Sequence, residues 1–301
     1  MSNKLRIAIC VSGQTRHFNK DPLYTEHFNE MLGLFNEYDY DLFGHTWADQ
    51  EDPHPEVLDK FTAYRSDPQS IIWDNITKVT ATNDLHWNSF LTTREQWMGK
   101  PEYLDILSGK SDVSFIDFAK ERIHGALGQI WSAHESFLLM PSTNEYDFVV
   151  RLRWDMMFNF YHGHEWVQHS IDRFKEQLYN WSHRHKHWNK LTSNKYPSCL
   201  CLDDCILTER NIPYFNDHLF VFKNDIHMHK ILQTSPYDLF AHMLKKLNSD
   251  QHPCSVPQLG SAHTLWVNWI LNAGFAVSPV LPNIFQANGP SEGKVNKPWS
   301  N

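Results

Sequence analysis

No stretch of this 301-residue chain approaches the roughly 20 consecutive apolar residues of a membrane-spanning helix, which excludes that class of membrane protein. The opening Met-Ser-Asn-Lys lacks the apolar segment of a secretory signal, so the expected location is the cytoplasm, or the host cytoplasm for a viral chain. Without secretion the Asn75-Ile76-Thr77 sequon carries no weight. Glycine is sparse, 12 residues, and no strand-like run is followed by G-x-G-x-x-G or G-K-[ST]. That excludes the dinucleotide fingerprint and the P-loop, and it disfavours a methyltransferase. Positive charge is in deficit, 27 Lys+Arg against 35 Asp+Glu for a net −8, which argues against a generic polyanion binder. No Gly/Ser/Pro tract divides the chain and no repeat is visible, so one α/β domain over 1–301 with an insertion fits better than two.

What is abundant is aromatic: 12 Trp, 11 Tyr and 19 Phe, beside 19 His. Trp and Tyr suit sugar rings and bases, although most will be core. The segment from Tyr146 to Phe158 is the most informative. It reads as a buried strand through Val149, Val150 and Leu152, yet Arg151, Arg153 and Asp155 fall on alternate positions and therefore on one face. Charges on a core strand are costly unless something there needs them. An aspartate meeting a metal or sugar, with arginines meeting phosphates, would use this pattern; a buried Arg–Asp structural pair would read the same.

Arg6 to Val11 is a short run rich in β-branched residues that leads into Ser12-Gly13-Gln14-Thr15-Arg16, a polar loop of the kind that approaches ligands beyond the carboxyl ends of α/β strands. Tyr24 to Phe35 is predicted helical, with Phe28, Met31, Leu32 and Phe35 at helical spacing. A second strand runs from Tyr38 into His45, Thr46 and Trp47. Ile123 to Met140 is predicted as a long helix burying Leu127, Ile130, Trp131, His134, Phe137 and Leu138, with polar Gln129 and Ser132 facing either a ligand or solvent. Further on, Ser261 to Leu271 is a helix stopped by Asn272-Ala273-Gly274, and a last strand follows.

Val-Ser-Gly-Gln-x-Arg after the first strand, Asp-Leu-Phe-x-His-Thr-Trp after the second, Gly-Gln-Ile-Trp-Ser on a helix and Val-Val-Arg-Leu-Arg-Trp-Asp resemble, in that order, the GT-A-type glycosyltransferase-like proteins of viral, phage and bacterial genomes. The resemblance covers roughly residues 5–160 and implies a GT-A-like, Rossmann-like mixed sheet flanked by helices, with an insertion and a C-terminal helical and loop region. It implies transfer of a sugar from a nucleotide-sugar donor, of UDP type. Ser12, Gly13, Gln14, Arg16, His45, Thr46, Gln129, Arg151, Arg153 and Asp155 would then contact the donor. Asp155 would hold a divalent cation, Mn2+ or Mg2+, in the place of the Asp-x-Asp aspartate. Here Arg153 stands where a second carboxylate is common, so a guanidinium would share the phosphate neutralisation.

An inverting transfer also needs a base at the acceptor hydroxyl. Asp217, in Asn216-Asp217-His218 before an aromatic strand, is the candidate, and a plain turn opening that strand would read alike. Residues 1–160 are the expected nucleotide-sugar half and 161–301 the acceptor-shaping half, with a basic Trp/His-rich insertion near 172–210. Arg184, Lys186, Trp188 and Lys190 in that insertion could contact a nucleic-acid or phosphorylated acceptor, or form a solvated loop. In a phage protein, a hydroxymethylated DNA base would be the natural acceptor. Cys199, Cys201 and Cys205 with Cys254 could hold a structural zinc, and free thiols are the default. The alternative function is a catalytically inactive GT-A-like protein binding nucleic acid or glycan through the insertion.

Overall fold

The computed structural model describes residues 6–15, 18, 22–33, 35–36, 38–49, 52–98, 115–141, 145–154, 157–158, 199–201, 205–207, 213–215, 220–247, 262–275, 277–279 and 285–286. The chain opens with β1 (Arg6–Ser12), α1 (Pro22–Gly33) and β2 (Asp39–Trp47). Next come α2 (Pro55–Leu58), β3 (Ala63–Asp67), α3 (Ser70–Thr82), α4 (Asp84–Met98), α5 (Phe115–Leu138) and β4 (Phe148–Arg153). Short strands β5 (Met157–Phe158), β6 (Cys199–Cys201), β7 (Cys205–Leu207) and β8 (Pro213–Phe215) precede β9 (Phe220–Lys223). Helices α6 (Ile226–Gln233), α7 (Pro236–Leu247) and α8 (Ala262–Ala273) follow, then β10 (Val277–Pro279) and β11 (Phe285–Gln286).

Seven strands form one mixed sheet in the order β10-β6-β9-β4-β1-β2-β3, the α/β architecture expected from the sequence. β1 to β4 are mutually parallel, while β9 runs antiparallel to both β4 and β6. Strands from both sides of residue 160 thus share this sheet. β5 pairs with β11 and β7 with β8 in two small separate ladders.

Period-two alternation decides which core each strand residue joins. Ile7, Ile9 and Val11 pack with Phe28, Met31 and Leu32 of α1 and with Phe148, Val150 and Leu152. Ala8 and Cys10 face the other way, against Ile123, Leu127 and Ile130 of α5 and the apolar residues of α7 and α8. A strand covered on both faces needs no polar alternation, so β1 reads as a continuous apolar run from Ile7 to Val11, as does β4 from Phe148 to Val150 before its arginines. Gly44 in β2 is required by close approach: a Cβ there would lie 2.8 Å from both Phe61 Cε1 and Tyr64 Cδ2.

α5 starts earlier than its apolar pattern predicts. Leu138 is 49% exposed where the spacing predicts burial, because it lies one residue beyond the fully buried Phe137 and so about 100° round the last turn. α8 ends as predicted at Gly274, whose φ of +94° suits glycine. The Gly274 amide donates to Leu271 O at 3.0 Å and that of Phe275 to Ile270 O at 3.2 Å, which satisfies two terminal carbonyls. Among the described residues no helix is long and apolar enough to cross a membrane.

Candidate functional site

The order β3-β2-β1-β4 means that the chain steps outward from β1 to β3 and then returns to the opposite side of β1 for β4. The crevice at the carboxyl ends of β1 and β4 is therefore the topological switch point, where open α/β sheets bind ligands. Ser12 pairs in register with Arg153 and with His45, so the three strand ends lie level there.

Gly13 follows β1 with φ +111°, a conformation that other residues rarely adopt. Its peptide groups are clamped. The Gly13 amide donates to Ser132 Oγ at 2.7 Å, and Thr46 Oγ1 donates to Gly13 O at 3.0 Å. Because the Asp67 carboxylate beside Nε2 can only accept, Nδ1 is the bare ring nitrogen, and the Ser132 hydrogen is directed to it at 2.8 Å rather than to His45 O at 3.4 Å. His45 Nε2 then carries the ring hydrogen and donates to Asp67 Oδ2 at 3.3 Å. Asp67 is gripped in turn by Arg65, through Nε at 3.1 Å and Nη2 at 2.9 Å to Oδ1, and Arg65 Nη1 donates to Glu135 Oε2 at 3.0 Å. Burial lowers the His45 pKa, partly opposed by the Asp67 hydrogen bond, and so favours the neutral ring that this network needs.

Ser132, His45 and Asp67 have the composition of a hydrolytic triad but not its function. Ser132 is fully buried, already accepts the Gly13 amide proton, and meets Nδ1 rather than Nε2 of the histidine. The network is a brace for the β1 loop.

Arg151 and Arg153 stand at the end of β4, 0% and 7% exposed. Arg151 Nε donates to Ser12 Oγ at 3.2 Å, and its guanidinium lies 5.0 Å over the Trp266 ring. With Gly13, Gln14 and Trp47 the two arginines line a cleft of about 540 Å3, counting its open mouth. The opposite wall is α5, through His124, Gly125, Gly128 and Gln129, with Gln69 beside it. The His124 ring stacks on Trp73 at 4.4 Å and 17°, and burial lowers its pKa.

Of the residues predicted to contact a donor, Gly13, Gln14, Gln129, Arg151 and Arg153 line this cleft. Ser12, His45 and Thr46 do not line it. All three are fully buried, and their polar groups face Arg151, the Ser132–Asp67 pair and Gly13 respectively, so they position the wall rather than form it. Arg16, Asp155, Asp217, Cys254 and the insertion residues Arg184, Lys186, Trp188 and Lys190 lie outside the described residues. Along the chain, Asp155 follows Arg153 by two positions, and Asp217 precedes Phe220, the register partner of Arg151, by three. Cys199 and Cys201 belong to the main sheet and Cys205 to the separate β7 ladder. Among the described residues no group of three His, Cys, Asp or Glu side chains could hold a metal, so the zinc expectation gains no support.

Arg65, Asp67, Gln69, His124 and Glu135 were not singled out by the sequence pattern. Arg65 and Asp67 are two apart and share one face, a pairing that becomes visible only once β3 is known to be a strand.

No protein-family model matches the chain, and no curated protein matches its sequence. Among solved structures, the galactosyltransferase LgtC in complex with donor and acceptor sugar analogues aligns at 8% identity and TM-score 0.36, over 91% of this chain and 73% of its own. An active-site variant of LgtC gives the same identity and score over 91% and 72%. Mouse xyloside xylosyltransferase 1 in its apo form aligns at 10% identity and TM-score 0.31, over 90% and 80%.

Proposed function

We propose that this protein is a glycosyltransferase that takes a sugar from a nucleotide-sugar donor, with the donor diphosphate in the cleft between Gly13 and the Arg151–Arg153 pair. The observation that carries this reading is the placement of two buried arginines at the end of β4, across the switch point from a backbone turn held open by Gly13. Departure of a nucleoside diphosphate builds negative charge on its phosphate oxygens. Guanidinium groups already fixed in a low-dielectric wall stabilise that charge without reorganising during the reaction.

The described wall does not fit a divalent cation, since its charged lining is two guanidiniums and no carboxylate. Charge neutralisation is therefore assigned to Arg151 and Arg153. A role for Asp155 with Mn2+ or Mg2+, a UDP-type donor and Asp217 as base rest on the sequence resemblance. The acceptor assignment, a hydroxymethylated base of phage DNA held by the basic insertion, rests on the composition of that insertion.

The test is thermal stabilisation by a panel of nucleoside diphosphates and nucleotide sugars, with and without Mn2+, followed by assay of sugar transfer or hydrolysis. Stabilisation that is lost in a folded Arg153→Ala variant supports the donor site. Binding without turnover of any donor argues against transfer, and no binding of any nucleotide overturns the donor-site reading and favours the inactive binder of nucleic acid or glycan.

A further inference from the structure

We infer that the α5 wall of the cleft seats the nucleobase of the donor, with Gln129 reading its hydrogen-bonding edge. This rests on the reading of the cleft as a donor site.

The four α5 residues on the cleft, His124, Gly125, Gly128 and Gln129, are spaced as two i, i+4 pairs and so share one helix face. On that face Gln129 Oε1 and His124 Nε2 are buried and meet no hydrogen-bond partner. Buried polar atoms are normally satisfied, and two such atoms on one cleft wall mark where a ligand supplies the missing groups. The His124 ring is held by a hydrogen bond with the Gln69 backbone, which leaves Nε2 as the nitrogen available to a ligand.

The shape between these groups suits a flat ring. A Cβ added at Gly125 would meet nothing within 4 Å, and one at Gly128 would come to 3.6 Å from Trp47 Cζ2. Gly128 thus packs against the Trp47 indole, and the open space for a ring lies over Gly125, on the helix face that carries His124 and Gln129. Its polar groups are an amide and an imidazole, whereas the cleft's charge is confined to Arg151 and Arg153. A neutral heterocycle with an N–H donor edge matches this end and a diphosphate matches the other. The transferred sugar does not belong here, because it is bonded to the terminal phosphate and so lies toward the Arg151–Arg153 end of the cleft.

The experiment compares binding of UDP, GDP, ADP, CDP and inorganic pyrophosphate to the full chain and to Gln129→Leu and Gly125→Leu, with circular dichroism as the folding check. The expected result is a preference among the four bases that Gln129→Leu compresses by about tenfold. Gly125→Leu, on an exposed helix position, should block all four nucleotides while pyrophosphate still binds both variants. An unchanged base preference in Gln129→Leu, equal binding of all four bases by the unaltered chain, or undiminished nucleotide binding by Gly125→Leu overturns the inference and leaves the donor-site reading standing. Failure of the unaltered chain to bind any nucleotide overturns the donor-site reading itself.

Discussion

The amide of Gly13 donates to Ser132 Oγ at 2.7 Å across 119 positions of sequence. Through that contact a helix on one face of the sheet fixes the backbone turn at the mouth of the cleft. Ser132→Ala removes the acceptor of the Gly13 amide and the donor to His45 Nδ1 together. Two buried polar atoms left unsatisfied should lower stability by about 1–3 kcal/mol in urea denaturation. Nucleoside diphosphate binding should weaken beyond what the lost stability explains, and unchanged affinity in the folded variant would show that the brace does not serve the cleft.

Gly13→Ala separates backbone strain from packing. An added Cβ meets no atom within 4 Å, so the cost comes from φ +111° alone and should be about 1–2 kcal/mol. A denaturation midpoint equal to that of the unaltered chain would mean that the turn relaxes elsewhere.

Stability should fall on acidification through about pH 6.5. His45 is held below its ordinary value of 6.5 by burial, and His124 shifts in the same direction for the same reason. The unfolded chain takes up these protons near 6.5 while the native chain resists them to lower pH, so between the two values unfolding binds protons. The contribution is complete above the unfolded pKa and is lost as pH falls toward the native one. Urea midpoints at about pH 7.5 and about 5.5 should differ accordingly. The difference should shrink in His45→Gln, and an equal difference in that variant would remove His45 from the account.

Much of this arrangement was legible from sequence where charge interrupts an apolar run. Arg151 and Arg153 announced themselves because β4 is otherwise a buried strand, and Gly13 because it follows one. β3 gave no such signal. Ala63–Asp67 is a short, mostly polar strand at the sheet edge, with no apolar alternation to set off Arg65 and Asp67. His45 and Thr46 stood out in the sequence, and their bonds to Ser132, Asp67 and Gly13 did not. A polar residue at a strand end reads the same whether it meets a ligand or clamps a neighbouring loop, and only the position of Ser132 on α5 decides between them.

Gly44→Ala should destabilise without affecting the cleft directly. The new methyl would sit 2.8 Å from the Phe61 and Tyr64 rings. Both rings pack near Trp154, with centroids at 5.3 and 6.3 Å, and have little room to retreat. A loss of about 1–3 kcal/mol is expected in thermal or urea denaturation. A neutral result would show that the aromatic group yields.

Cys10 offers a probe of global opening. It is fully buried in β1, and burial raises its thiol pKa well above the usual value, so little thiolate forms and reagents cannot reach it. Iodoacetamide followed by peptide mapping should leave Cys10 unmodified in buffer and label it fully in denaturant. Labelling in buffer at the unfolded rate would contradict its placement.

The antiparallel β9 also bears on how the chain emerges during synthesis. Phe148 to Arg151 of β4 pair with Lys223 to Phe220, about seventy residues later, so β4 leaves the ribosome long before its outer neighbour exists. Until β9 arrives, β4 presents an open edge of backbone donors and acceptors on a strand that is apolar apart from Arg151 and Arg153, the template on which chains add to one another. Truncation between residues 154 and 220 would make that interval permanent, and such a fragment would accumulate as aggregate.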